Sequence, residues 1–191
     1  MLGAILFALA LPMALISSNL RYVVNDPGTY AGGFDKYGVA DTTGITREEL
    51  LKGAAGLRDY FNSDQEPVDI RVEKGGKTID LFRDREVRHL KDVKDLIKLS
   101  YRVQTVSLVY LVGFVAALAI FRRTGASRHI ARLLLWCGSF TIGLLLLVGL
   151  LSLVDFEGVF LLFHLVSFSN DLWMLDPQRD HLIMMFPQGF F

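Results

Sequence analysis

The chain has 191 residues, 20 basic and 20 acidic side chains in balance, and a mean hydropathy of +0.39. Neutral balance excludes general nucleic-acid binding, which needs a basic surface to displace counterions. A single cysteine excludes a disulfide framework, and no zinc-finger, Walker or dinucleotide motif is present.

Apolar residues collect in three blocks. Crossing a bilayer as a helix takes roughly 20 of them, because the hydrocarbon core is about 30 Å thick and satisfies no backbone polar group. The first block predicts a transmembrane helix over 1–20, kinked near Pro12. It lacks the basic start and small-residue cleavage site of a signal peptide, so it reads as a retained signal anchor.

A polar segment over 21–102 follows and predicts a small extracytoplasmic α+β domain. Asp26-Pro27-Gly28 and Gly32-Gly33 mark irregular structure. Thr46-Arg47-Glu48-Glu49 has capping-box spacing, so a helix runs from there to about Phe61. Val68, Ile70 and Val72 alternate, Gly75-Gly76 supplies a turn, and Ile79 and Leu81 alternate again, the signature of a β-hairpin. From Arg85 the period becomes helical. Val87, Leu90, Val93, Leu96 and Ile97 form one stripe, with Arg88, Lys91, Lys94 and Lys98 on the other side. Such a helix either lies at the bilayer interface or packs on the small domain.

The second block, 103–121, and the third, 133–154, are predicted transmembrane helices joined by the short link 122–132. The link forces an antiparallel hairpin, so the polar segments before 103 and after 154 emerge on one side. Its four arginines place it in the cytoplasm and the polar segments outside. Lone Cys137, inside the third block, reads as packing. The final segment, 155–191, has apolar runs too short to span and many aromatics, which predicts an extracytoplasmic re-entrant or interfacial element.

Four histidines are present, and His129 in the link reads as a solvated residue. His89 and Asp92 share a helical face, so the carboxylate can orient the ring or raise its basicity, or the pair is an incidental surface feature. His164, with Ser167, Ser169, Asn170 and Asp171 after it, is an ionisable group in an apolar stretch. That placement is costly and points to function, the alternative being a ring satisfied by a serine or carbonyl. His89, His164 and His181 with Asp171 or Asp180 have no zinc-motif spacing. Ser167 and Ser169 lack a nucleophile-elbow context.

Two motifs carry a resemblance: Arg-Glu-Val-Arg-His-Leu-Lys-Asp-Val-Lys-Asp-Leu at 85–96 and Phe-His-Leu-Val-Ser-Phe-Ser-Asn-Asp-Leu-Trp at 163–173. With Asp176-Pro177, Leu182-Ile183 and Phe186-Pro187 followed by Phe190-Phe191, the chain resembles the lipoprotein intramolecular transacylase (Lit) family of bacterial membrane proteins. The order of spans, domain, link and aromatic motif matches across essentially the whole chain.

The resemblance implies an α-helical polytopic membrane protein of the bacterial cytoplasmic membrane. It implies an enzyme that moves the sn-2 acyl chain of a lipoprotein's diacylglyceryl-cysteine onto its own N-terminal α-amine. The partners implied are diacylglyceryl-modified lipoproteins and membrane lipid, with no metal or cofactor, and nothing is implied about oligomeric state. His89 and His164 carry over as catalytic. The expected assignment makes His164 the base and His89 the acid or oxyanion stabiliser, with the reverse open. Asp92, Ser167, Asn170, Asp171 and Trp173 are expected to support the pair or hold the substrate. Family members usually continue into a fourth transmembrane helix, so this chain is expected to be a fragment or a truncated product, the alternative being that the last helix is dispensable. A non-enzymatic membrane scaffold and a metal-dependent membrane hydrolase are the rival readings.

Overall fold

Helix length and hydropathy separate the membrane part of the chain from the rest. The computed structural model describes residues 2–121 and 125–190, apart from the side chains of residues 2 and 126. Among the described residues three helices are long and apolar enough to cross a membrane. They belong to α1 (Leu2–Asn25), α5 (Asp84–Phe121) and α6 (Ala126–Val154). At 1.5 Å per residue, α5 with its 38 residues is about 57 Å long, nearly twice the hydrocarbon thickness. Its charged residues gather in the first half, 84–102, and its apolar ones in 103–121.

Contacts divide the chain into two compact units. One gathers the N-terminal residues up to Arg21 with Leu99–Phe160. There α1 is fastened to α5. Phe7 packs on Phe114 with ring centroids 5.4 Å apart, and the Tyr110 hydroxyl donates to the Gly3 carbonyl at 2.8 Å. Gln104 donates to Ser18 at 2.9 Å and accepts from Arg21 at 3.2 Å. Most large side chains of α6, from Leu134 to Val154, are exposed. Their solvent is lipid, since an apolar patch of that extent is foreign to water-facing surfaces.

The other unit is discontinuous, built from Tyr22–Lys98 and from 161 onward. It contains α2 (Pro27–Lys36), α3 (Val39–Thr43), α4 (Arg47–Phe61), β1 (Arg71–Lys74), β2 (Lys77–Asp80), the first half of α5, most of α7 (Phe156–Ser167) and α8 (His181–Met185). Thr46 caps α4 as expected, accepting from the Glu49 amide at 3.4 Å. The Glu49 carboxylate does not return the bond. It accepts the Glu73 amide at 2.7 Å and so ties α4 to β1. The hairpin pairs Arg71 with Asp80 and Val72 with Ile79, and Gly75 and Gly76 turn it at φ of 58° and 75°. Val72 and Leu81 join Val39, Ile45, Leu50 and Leu57 in the core.

Several expectations need correction. The stretch around Asp26-Pro27-Gly28 and Gly32-Gly33 is helical, not irregular. Asp26 is an N-cap, accepting from the Thr29 amide at 2.9 Å, and Pro27 takes the first helical position, where its missing N–H costs nothing. Gly33 sits in that helix because the Phe190 ring presses against it. A Cβ there would lie 2.1 Å from the ring. Residues 126–132 of the expected link are the first turns of α6, and Arg122, Arg123 and Thr124 lie outside the described residues. Lys94 is not on a solvated face but is 1% exposed. Its ammonium donates to the Gln65 carbonyl and stands 4.0 Å from the Tyr60 ring centroid, and burial pushes its pKa down. The stripe of α5 packs in this unit, with Leu90 and Ile97 buried, so the helix docks on the small domain.

Candidate active site

His89 comes from the second turn of α5 and His164 from the last turn of α7. Both are 6% exposed, and their ring centroids are 6.2 Å apart. Two residues separated by 75 positions and two membrane spans thus share one cluster. Phe168 packs against both rings, at 5.1 Å from His89 and 5.5 Å from His164. Trp173 lies over His164 at 4.8 Å, and Phe163 meets the same ring edge-on at 5.1 Å. Such packing excludes water and leaves few polar atoms to solvate a charge.

The electrostatics follow from that burial. Desolvation, then repulsion from His164, push His89 from an ordinary 6.5 down to about 4, against the pull of the Asp92 carboxylate. His89 is therefore a neutral imidazole at pH 7. Among the described residues its Nδ1 is buried without a hydrogen-bond partner. A ring nitrogen so placed is an unusual expense, since an unmet polar group in an apolar site costs about 1–3 kcal/mol.

The expected supporting residues divide. Asp92 raises the basicity of His89 through its charge alone. Its carboxylate accepts instead from Asn170 Nδ2 at 2.9 Å. Asn170 Oδ1 in turn accepts the Leu172 amide at 3.0 Å. Asp171 is exposed, its carboxylate 3.8 Å from the Arg85 guanidinium. Ser167 ends α7 half-buried, and Trp173 packs on His164 as described.

Arg85 and Glu86 were not singled out from the sequence. Arg85 donates to the carbonyls of Asp171 and, at 3.4 Å, Leu172. Its position one helical turn before His89 was the available signal. Glu86, wholly buried, accepts the Arg83 amide at 2.8 Å and the Leu182 amide at 2.6 Å, joining the start of α5 to α8. Burial raises its pKa against those two hydrogen bonds. The signal was a glutamate at the third position of a helix, where it reaches back to the cap amide.

His181 belongs elsewhere. Its Nδ1 lies 2.8 Å from the Leu81 carbonyl, which makes Nδ1 the donor and leaves Nε2 to accept from Lys74 at 3.4 Å. Among the described residues no group of three His, Cys, Asp or Glu could hold a metal ion.

A family model described as lipoprotein intramolecular transacylase Lit matches residues 5–191. A protein of Aquifex aeolicus (strain VF5), described as uncharacterized, is 32% identical over 154 residues, 78% of this chain and 64% of that one. The chain thus spans less than two thirds of that relative's length. The solved structure of the membrane integral lipoprotein intramolecular transacylase Lit from Bacillus cereus is similar, with a TM-score of 0.80 at 21% identity, covering 100% of this chain and 82% of that one. A histidine-to-alanine variant of the same protein has a TM-score of 0.75 at 22% identity, covering 100% and 80%. The fold is shared, and the chain is a multi-pass membrane protein.

Proposed function

This chain belongs to the lipoprotein intramolecular transacylase Lit family, and on that premise we propose that it moves the sn-2 acyl chain of a lipoprotein's S-diacylglyceryl cysteine onto the α-amine of the same cysteine. The product is a lyso-form lipoprotein with an N-acyl chain and one remaining glyceryl ester. The observation that carries the reading is the buried imidazole pair, one ring of which keeps an unpartnered nitrogen.

The chemistry needs two proton transfers. The amine, with an ordinary pKa near 7.7–8.0, must be neutral to attack the ester carbonyl, and the glycerol oxygen must be protonated to leave. Two imidazoles this close do not both carry charge, and His89 is the one held neutral. His164 therefore takes the amine proton as the new N–C bond forms. His89 serves as a neutral N–H donor to the developing oxyanion. As the C–O bond to the sn-2 oxygen breaks, the proton on His164 passes to that oxygen, and both rings return to their starting state. Ester and amine sit on one molecule, so proximity supplies much of the rate. The aromatic walls of Phe163, Phe168 and Trp173 suit acyl and glyceryl groups and keep out water that would hydrolyse the ester.

The arginine-rich link supports a cytoplasmic-membrane topology with this site on the extracytoplasmic side, where mature lipoproteins present their N-termini. The test is to express the gene in a bacterial host that retains diacyl lipoproteins and to determine lipoprotein N-termini by mass spectrometry. N-acyl, S-monoacylglyceryl cysteine is the expected product. Unchanged diacyl lipoprotein at good expression would refute the reading and favour a scaffold.

A further inference from the structure

Arg85, His89 and Asp92 fall at i, i+4 and i+7 on α5 and so share one face. His89 in the middle packs on Phe168, and the outer two residues both grip the segment that follows. Arg85 holds it through the carbonyls of Asp171 and Leu172, with the Asp171 carboxylate 3.8 Å away. Asp92 holds it through Asn170, which also closes a turn onto the Leu172 amide. The bracketed residues run from Phe168 to Trp173, two of the aromatics that pack on the His164 ring.

The segment has no regular structure to hold it. The Asp171 carbonyl receives one backbone bond, from the Met174 amide at 3.1 Å. Arg85 adds a charge-assisted donor to it, and charge-assisted bonds are about twice as strong as neutral ones. Its ion pair with exposed Asp171 contributes little by itself, because solvent screens it. The planar fork suits arginine to this place: two of its nitrogens, held rigidly apart, each reach one of two successive carbonyls.

We propose that Arg85 is a positioning residue for the histidine pair. It acts through the 168–173 segment, by setting Trp173 against His164, and touches neither substrate nor imidazole. The inference rests on the transacylase reading for its kinetic readout alone.

The test uses Arg85→Gln and Arg85→Lys, each combined with Trp136→Phe so that Trp173 is the one tryptophan left. The parent chain has two, and Trp136 is exposed on α6. A synthetic diacylglyceryl-cysteine lipopeptide in detergent micelles is the substrate. Arg85→Gln is expected to lower kcat by about 10- to 100-fold with KM nearly unchanged, as for a small misplacement of catalytic groups. Trp173 emission should shift to the red as the ring leaves the imidazole, while the melting temperature stays near that of the parent. Arg85→Lys should recover part of both losses.

Parent-level kcat, or a lost kcat with unmoved emission, would overturn the proposal, because Arg85 would then not act through the segment. So would a melting temperature and KM that move together with kcat. If the parent itself shows no transacylation, the transacylase reading fails. The emission and its recovery in Arg85→Lys still decide whether Arg85 sets Trp173.

Discussion

The depressed pKa of His89 makes a measurable prediction about stability. Holding the ring from an ordinary 6.5 down to about 4 corresponds to about 3 kcal/mol. The sign follows from which state binds the proton first. The unfolded chain protonates His89 near its ordinary value, and the folded chain only near 4. The contribution is therefore fully present above about 6.5, declines as pH falls, and is lost by about 4. Unfolding in detergent should be followed between pH 7.5 and 4 for the parent and for His89→Leu. The parent should lose about 3 kcal/mol more than the variant across that window. Histidine ring resonances from labelled protein should place the His89 midpoint near 4. In His164→Leu the midpoint should rise but stay below 6.5, because burial outweighs the repulsion. A midpoint near 6.5, or equal pH slopes in parent and variant, would refute the electrostatic argument.

Single replacements of His89 or His164 by Gln should each lower transacylation by about 10²–10⁴-fold while the helical circular dichroism is kept. Retention of more than half the activity would remove that residue from the chemistry. Glu86→Ala leaves the Arg83 and Leu182 amides unmet and should cost about 3 kcal/mol in denaturant unfolding. Glu86→Gln, which keeps an acceptor, should cost less than half as much. Gly33→Ala should destabilise by about 1–3 kcal/mol through the Phe190 ring. Neighbouring Gly32→Ala, which meets nothing within 4 Å, should stabilise by up to about 1 kcal/mol. Melting temperatures of the pair check both signs.

Local rules made most elements legible. Thr46 announced α4, the glycine pair announced the hairpin, and sustained hydropathy announced the spans. Where one residue type serves two purposes, the rules misled. Asp26-Pro27 reads equally as a turn or as a cap followed by a first helical position, and only the fold chooses. Lys94 has helical spacing that puts it among solvated lysines, but Tyr60 and the Gln65 carbonyl, both distant in sequence, draw it inside. The candidate pair was legible as two motifs, since each histidine stands in a distinctive stretch of sequence. Its wiring was not. That Asp92 reaches Asn170 rather than the His89 ring, and that Arg85 reaches two carbonyls beyond α7, depends on packing between segments about 80 residues apart.

The unit holding the histidines is assembled from two stretches separated by the chain of Leu99–Phe160. At 5–20 residues per second, a ribosome needs about 3–12 s to make those roughly 60 residues. During that interval His89, the Glu86 carboxylate and the Arg85 fork have been synthesised, but Phe168, Leu182 and the 171–172 carbonyls do not yet exist. The site can therefore be completed only after the stretch of Leu99–Phe160 has been made. A nascent chain that ends inside α6 would hold the Glu86 carboxylate without the Leu182 amide that meets it in the finished fold.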